Sequence, residues 1–227
     1  MTDYRITFDP AANGFVFESE TIVKGSIAVN IPADDKRKRQ FISLYLHKAD
    51  LEEGISFLLC ISADKCVQVN QALFMAALSN MMKCFQATSE VSELAEKKFR
   101  KAFPLAAEEL EQFKNWRNKH FVHDENSMRE ATAFLWVAPE GCENSLGGLP
   151  SVFWNRAPID FIEEGRRLEV LMKVLLNFVL DEFDKLGKNL IEDYGAKSRE
   201  ELLTYETATV SLATTTHPDK ERGIKGR

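Results

Sequence analysis

The stretch from Phe161 to Tyr194 constrains the fold of this chain more than any other. Its apolar residues form one broad stripe at helical spacing, made of Ile162, Leu168, Leu171, Leu175, Phe178, Leu180 and Phe183. That spacing is typical of an amphipathic α-helix. Asp160, directly before the stretch, is suited to cap its N-terminus. A helix of this length indicates a mainly α protein with this segment at its centre.

Other segments with helical spacing predict an antiparallel helical bundle. Residues 67–86 are apolar on nearly all sides, which is typical of a central bundle helix. Asp50 is a plausible N-cap for a helix over 51–59, with an earlier start near Phe41 as the alternative. Helical patterns also lie on both sides of Pro104, which ends or kinks the helix before it.

Two short regions favour β-structure and complete the predicted fold. Residues 1–35 alternate apolar and polar side chains around Asn13-Gly14, which predicts a short N-terminal extended or hairpin segment. Residues 131–137 favour a strand, and 205–212 alternate in a way that suits pairing with them. The predicted organisation is an N-terminal segment over 1–35, a helical domain over 36–213 and a flexible polar tail over 214–227.

Composition excludes several classes of protein. No run reaches the roughly 18 apolar residues needed to cross a bilayer, and the N-terminus lacks a signal peptide, so we expect a cytoplasmic protein without a membrane partner. The net charge of -6 argues against a broad nucleic-acid-binding surface, although it allows a local basic site. The four cysteines form no C-x-x-C pair, which favours reduced structural thiols over a zinc site built on Cys60 and Cys66. We expect neither a metal nor a cofactor.

The segment Arg117-Asn118-Lys119-His120-Phe121-Val122-His123 is the main candidate for chemistry. An arginine presents a fork of donors that matches phosphate oxygens, and a histidine exchanges a proton near neutral pH. Together they suit RNA cleavage, in which a base deprotonates the ribose 2′-hydroxyl and that oxygen attacks the adjacent phosphate. Such a reaction requires no metal.

The spacing of this segment leaves other interpretations open. At about 100° per residue, an unbroken helix would rotate His123 by roughly 240° from Arg117. The two side chains can act together only if the helix ends near His123 or if a second subunit supplies a partner. Alternatively, Arg117 and Asp124 form an ion pair while a histidine caps helix carbonyls. Judged on the residues alone, this structural role is favoured over catalysis.

The same segment resembles a known family motif. Arg117-Asn118, four further residues and His123 look like the R-x4-6-H motif of the HEPN superfamily. The run from Trp116 to Asn126 is similar to the RNK-H-x-x-H-D segments of bacterial HEPN-like proteins. The likeness covers roughly residues 45–190, of which the motif is the specific part. The N-terminal segment, the strand at 131–137 and the loop at 141–150 lie outside the minimal family bundle.

The resemblance implies a function and roles for individual residues. It implies a metal-independent endoribonuclease of a toxin–antitoxin or phage-defence system, leaving a 2′,3′-cyclic phosphate and acting as a homodimer on RNA. The alternative is a catalytically silent HEPN-like binding or regulatory module in a defence or stress system. Either role allows an antitoxin or regulatory protein as a partner. The implied roles are phosphate holder for Arg117, orienting group for Asn118, general base or acid for His123, and substrate binding for Lys114, Lys119 and His120.

Overall fold

The computed structural model describes most of the 227 residues. The described residues are 5–9, 14–18, 28–89, 91–117, 129–138, 140, 146, 148–156 and 159–208. They form the helices α1 (Lys36–Leu59), α2 (Val67–Lys83), α3 (Glu96–Ala102), α4 (Pro104–Trp116), α5 (Phe161–Gly195) and α6 (Arg199–Leu202). The strands are β1 (Arg5–Asp9), β2 (Gly14–Glu18), β3 (Arg129–Phe134) and β4 (Ser151–Arg156). The prediction of a mainly α protein is confirmed.

The longest helix begins and ends close to the predicted positions. Asp160 caps α5, because its Oδ1 accepts hydrogen bonds from the backbone N–H groups of Ile162 (3.0 Å) and Glu163 (3.2 Å). By contrast, Asp50 does not cap a helix. It lies in the interior of α1, which begins at Lys36, and its carboxylate pairs with Lys83 of α2 at 2.9 Å.

The helix α1 packs antiparallel to α2. Two polar contacts show this direction. Asp50 of α1 pairs with Lys83 of α2, and three residues later in α1 Glu53 accepts a hydrogen bond (2.9 Å) from Asn80, which lies three residues earlier in α2. The buried core is built from α1 to α5, and its large inaccessible side chains include Leu51, Phe74, Leu78, Met81, Phe99, Leu110, Phe113, Leu168, Met172, Leu175 and Val179. Apolar stripes on helices therefore supply the core, as the spacing predicted.

The chain divides into two compact units. One comprises Lys36–Ile191, and the other combines Met1–Asp35 with Glu192–Arg227. In the second unit, β1 and β2 pair antiparallel, which confirms the predicted N-terminal hairpin. Val29 forms a bridge with Thr207 in the same unit. The predicted domain end at 213 and the predicted tail at 214–227 lie outside the described residues.

The predicted pairing of 131–137 with 205–212 is wrong for the described residues. The strand β3 pairs antiparallel with β4, which the sequence did not single out, and Thr207 contacts Val29 instead. Residues 209–212 lie outside the described part of the chain. Sixteen residues separate the two paired strands, and closing a shorter loop costs less conformational entropy.

The described helices include no membrane-spanning candidate. None combines the length and the apolar character that a bilayer crossing requires.

Candidate functional site

The candidate motif begins at the C-terminal end of α4. This helix starts with Pro104 at its first turn, where a missing N–H is tolerated. It buries Ala107, Leu110 and Phe113 on one face. The helix ends at Trp116, and Arg117 follows as its C-cap, with a backbone N–H directed to the carbonyls of Phe113 and Lys114.

Aromatic contacts fix the end of α4. Phe113 is fully buried, and its ring centroid lies 6.2 Å from that of Phe74 on α2. Trp116 lies 5.8 Å from Phe113 and 6.2 Å from Phe74. Phe161, the first residue of α5, lies 5.7 Å from Phe74. Because rings at these separations pack tightly, the helix end that carries Arg117 is held by Phe74 of α2, against which α5 also packs.

Arg117 is half-buried and lies in a π-helical turn that follows the last α-helical residue, Trp116. It has an interaction partner within the protein. Its backbone dihedral angles remain in the α region (φ −56°, ψ −48°). The predicted 240° separation of Arg117 and His123 depends on residues 118–123, which lie outside the described part of the chain. Local π-helical turns occur frequently at functional sites.

Lys114 lies in an ion-pair network between α3 and α4. Its Nζ is 2.5 Å from Glu96 Oε2 and 4.7 Å from the centroid of the Phe85 ring. Glu96 also pairs with Arg100, at 2.6 Å. Partial burial acts to raise the pKa of Glu96, but the hydrogen bonds from Lys114 and Arg100 outweigh it and lower that pKa. A substrate phosphate would therefore have to compete with Glu96 for Lys114.

The other predicted site residues belong to the segment that follows Arg117. Asn118, Lys119, His120 and His123 lie outside the described residues, as does Asp124. Of the six predicted site residues, the structure therefore positions Lys114 and Arg117. Lys114 lies in the last turn of α4, and Arg117, three residues later, is its C-cap.

A groove that the sequence did not indicate lies where α3 and α4 meet beside α5. Its volume is about 820 Å³, within the range of small-molecule sites. Its lining includes apolar side chains from both sides, namely Phe103, Leu105, Val170, Leu171 and Val174. Arg167 at its rim pairs with Glu109 at 2.7 Å. Because its two walls are about 60 residues apart in the chain, no local pattern could have revealed it.

A buried histidine marks a second, smaller cavity of about 270 Å³. The Nε2 of His47 lies 2.9 Å from the backbone carbonyl of Ser92, which can only accept, so this nitrogen carries the proton. Burial lowers the pKa of His47, against the opposing effects of the Ser92 hydrogen bond and the charge of Asp50. Ser43 accepts a hydrogen bond from the Ser92 N–H at 2.9 Å. This cluster ties the α2–α3 connection to α1.

The cysteines differ in their surroundings. Cys84 is buried, and desolvation raises the pKa of its thiol to about 12, so it is not a nucleophile. Cys60 and Cys66 are free and exposed. Cys142 lies outside the described residues. Among the side chains that the structure places, no group of three or more histidine, cysteine, aspartate or glutamate residues could hold a metal ion.

The geometry of the described residues thus yields one helix end that presents basic side chains, one apolar groove and one buried polar cluster. Of these three features, the end of α4 is the one that leads into the Arg117–His123 motif, for which the sequence suggests a chemical role. Comparison of the chain with protein-family models, with curated proteins and with solved structures finds no match.

Proposed function

We propose that this protein is a metal-independent endoribonuclease of the HEPN type. In this proposal it is cytoplasmic and bacterial, belongs to a toxin–antitoxin or phage-defence system, and is controlled by an antitoxin or another regulatory protein. The observation that carries the proposal is the end of α4 at Trp116, directly before Arg117. This end places Arg117, the proposed phosphate holder, directly after the packed Trp116, and its joint action with His123 stays a prediction from the motif.

The proposed chemistry assigns one task to each side chain. His123 takes the proton of a ribose 2′-hydroxyl, and the 2′-oxygen attacks the adjacent phosphorus as the bond to the 5′-oxygen breaks. The leaving oxygen accepts a proton, and a 2′,3′-cyclic phosphate remains. Arg117 offsets the charge that develops on the phosphoryl oxygens. Asn118 orients the reacting groups, and Lys114, Lys119 and His120 bind the substrate.

The rigidity of the helix end supports this assignment. Phe113 and Trp116 pack against Phe74, so the residue that follows them starts from a fixed backbone position. Catalytic groups are more effective when they are held in place before the substrate arrives. An arginine at a helix C-terminus is also favoured by the helix dipole, which partly stabilises its burial.

The proposal requires two copies of the chain. The catalytic pair proposed for one subunit is one arginine and one histidine, whereas the reaction uses both a base and an acid at one phosphate. Two motifs in a homodimer would provide both groups. We therefore include a homodimer in the proposed function.

Cleavage of RNA in the presence of EDTA tests the proposal. We expect the wild-type protein to release products with 2′,3′-cyclic phosphate ends, and Arg117→Ala and His123→Ala each to lower the rate by at least about 100-fold. Arg166→Ala and His217→Ala are matched controls outside the motif. Arg166 is an exposed α5 side chain 3.6 Å from Glu163, and its loss should leave the rate unchanged.

Two outcomes would contradict the proposal. Equal cleavage by the wild type and by both motif variants would show that the motif is not the site. Absence of cleavage by a folded wild-type dimer would favour the alternative function, a catalytically silent HEPN-like binding module.

A further inference from the structure

Arg167 of α5 contacts one face of α4 at three points. Its Nη2 donates hydrogen bonds to Glu109 Oε2 and to Gln112 Oε1, each at 2.7 Å. Its Cζ lies 5.8 Å from the centroid of the Phe113 ring, a separation at which a guanidinium and an aromatic ring attract each other. Residues 109, 112 and 113 share one face of α4, because they are three and four positions apart. One side chain of α5 therefore holds this face.

A fourth contact fixes the guanidinium itself. Its Nη1 donates to Glu164 Oε2, three residues earlier in α5, at 2.7 Å. Partial desolvation acts to lower the pKa of Arg167, but the hydrogen bonds and charges of Glu109 and Glu164 outweigh it and raise that pKa. A guanidinium is planar and its donors form a rigid fork, so acceptors on two helices determine both its position and its plane. The charged group is thus a rigid link between α4 and α5.

The preceding residue, Arg166, is an arginine of α5 without this link. Its side chain is 73% exposed, and its ion pair, at 3.6 Å, is with Glu163 of its own helix. The side chain of Arg167 is only 31% exposed. An exposed ion pair within one helix contributes little to structure. The two neighbouring arginines therefore form a matched pair, of which Arg167 is the one that joins two helices.

The face that Arg167 holds leads directly to the motif. Phe113 contacts Trp116, with ring centroids 5.8 Å apart, and Arg117 follows as the C-cap of α4. The backbone N–H of Arg117 is directed to the carbonyl oxygens of Phe113 and Lys114. Four residues of helix correspond to about 6 Å along the axis. A shift of Phe113 would therefore move the backbone of Arg117 with it.

The end of α4 depends on such contacts because little of it is buried. Phe113 is the last buried residue of the helix, whereas Trp116 and Arg117 are half-buried. Helix ends fray where packing or capping contacts do not hold the last turn. Misplacement of a catalytic group by about 1 Å can lower a rate about 100-fold. Small movements at this helix end would therefore affect the proposed chemistry.

We propose that Arg167 is a positioning residue for Arg117, because it links α5 to α4 and so fixes the helix end that carries Arg117. This inference rests on the proposed ribonuclease function for its effect on RNA cleavage, and it adds a residue of α5 to that site. Arg167 acts through α4 and is assigned no contact with the substrate. Its acceptors on α4 lie 58 and 55 positions earlier in the chain, so no local pattern indicates this role.

Amide hydrogen exchange, measured by mass spectrometry, tests the helix end without relying on catalysis. Arg167→Met keeps an unbranched apolar side chain but removes all donors. We expect a peptide covering 113–117 to exchange at least about 10-fold faster in this variant, because each charged hydrogen bond lost favours local opening. Peptides from α1 and α2 should exchange as in the wild type. Arg166→Met is the matched control and should leave exchange at 113–117 unchanged.

Kinetics of RNA cleavage test whether the position of the helix end matters for Arg117. We expect Arg167→Met to lower kcat about 10- to 100-fold with KM nearly unchanged, because Arg117 acts on charge that develops in the transition state. Arg167→Lys, which retains the charge but not the fork, should recover part of the rate. The double variant Arg117→Ala/Arg167→Met should be no slower than Arg117→Ala alone, because no guanidinium is then left to misplace. Arg166→Met should cleave at the wild-type rate.

Gln112→Ala provides a milder change if Arg167→Met does not fold. It removes one acceptor from α4 and leaves the pair of Arg167 with Glu109 in place. Exchange at 113–117 and kcat should change in the same directions as in Arg167→Met, by smaller factors. Circular dichroism would establish that each variant is folded. A general loss of stability would differ from loss of positioning, because it would also raise exchange in α1 and α2.

The outcomes distinguish this inference from the proposed function. Unchanged exchange at 113–117 in folded Arg167→Met and Gln112→Ala would overturn the inference, as would an equal rise in exchange along α1 and α2. If the wild type does not cleave RNA but exchange changes as expected, the ribonuclease proposal fails and the positioning of Arg117 by Arg167 stands. If Arg117→Ala lowers cleavage while Arg167→Met leaves kcat unchanged, or lowers it further in the Arg117→Ala background, the inference fails alone.

Discussion

The imidazole of His47 illustrates how one side chain can make stability depend on pH. The residue is 1% exposed, and its Nε2 donates to the Ser92 carbonyl. Burial lowers its pKa below the ordinary value of 6.5. The folded protein therefore binds fewer protons than the unfolded chain at mildly acidic pH. The stabilising effect of neutral His47 is fully present above pH 6.5 and is lost as the pH falls below it.

The lowered pKa of His47 leads to a prediction for how the free energy of unfolding depends on pH. We expect urea denaturation to show a stability that decreases from about pH 7.5 to about pH 5.5, with His47 contributing at most about 1.4 kcal/mol per pH unit. His47→Gln retains a donor for the Ser92 carbonyl but does not titrate, so its stability should vary less over the same range. An equal pH dependence in both proteins would show that other groups cause the effect.

Some residue-level features were predictable and others were not. Asp160 was predicted as a cap because its partners are the next backbone N–H groups, which are local in sequence. The ion pair of Lys114 with Glu96 joins residues 18 positions apart across a helix junction, and no local pattern specifies it. The same holds for His47 and Ser92, which lie on separate segments. Long-range polar partners depend on packing that the sequence does not display.

At the level of the helices, a glycine sets the spacing in the core. A Cβ on Gly54 of α1 would lie 2.4 Å from Met172 Cε and 3.3 Å from the Ala77 carbonyl oxygen. The first contact involves a flexible side chain, but Met172 is fully buried and has little space to move. The second involves the backbone of α2. Gly54 therefore allows α1 to approach its neighbours closely.

Replacement of this glycine should destabilise the protein although alanine favours helices. We expect Gly54→Ala to lose about 1 kcal/mol in the free energy of unfolding, because overpacking costs about 1–3 kcal/mol and helix propensity returns up to about 1 kcal/mol. Gly187→Ala is the matched control. Its Cβ would meet only Phe41 Cε2, at 3.7 Å, so it should gain about 0.5–1 kcal/mol. Stabilisation by both substitutions in urea denaturation would contradict this account of the core.

Helices were easier to predict than strand pairing. The apolar stripe of α5 lies within one continuous segment of the chain, so local spacing predicts where the helix begins and ends. A helix start at Asp50, with one near Phe41 as the alternative, follows from the capping preference of aspartate, but α1 begins at Lys36 and the Asp50 carboxylate pairs with Lys83 of α2. The strand β4 is short and follows a loop containing Gly148 and Pro150. Which strand it joins is a long-range choice that alternation alone does not determine.

At the level of the whole molecule, the proposed chemistry depends on association. A net charge of -6 disfavours non-specific attachment of the protein to RNA, so productive contact must come from local basic groups. One motif in each chain would give a dimer two phosphate-binding regions. The mass in solution should accordingly be twice 25.8 kDa, as measured by light scattering.

Mixing two inactive variants tests whether the subunits share a site. Arg117→Ala and His123→Ala each lack one group, but a mixed dimer contains an arginine from one chain and a histidine from the other. If the proposed site is shared, unfolding and refolding an equimolar mixture should restore RNA cleavage above that of either variant refolded alone, because about half of the dimers are then mixed. A mass of one chain, or a mixture no more active than its components, would contradict a shared site. Either result would imply that Arg117 acts with groups of its own subunit.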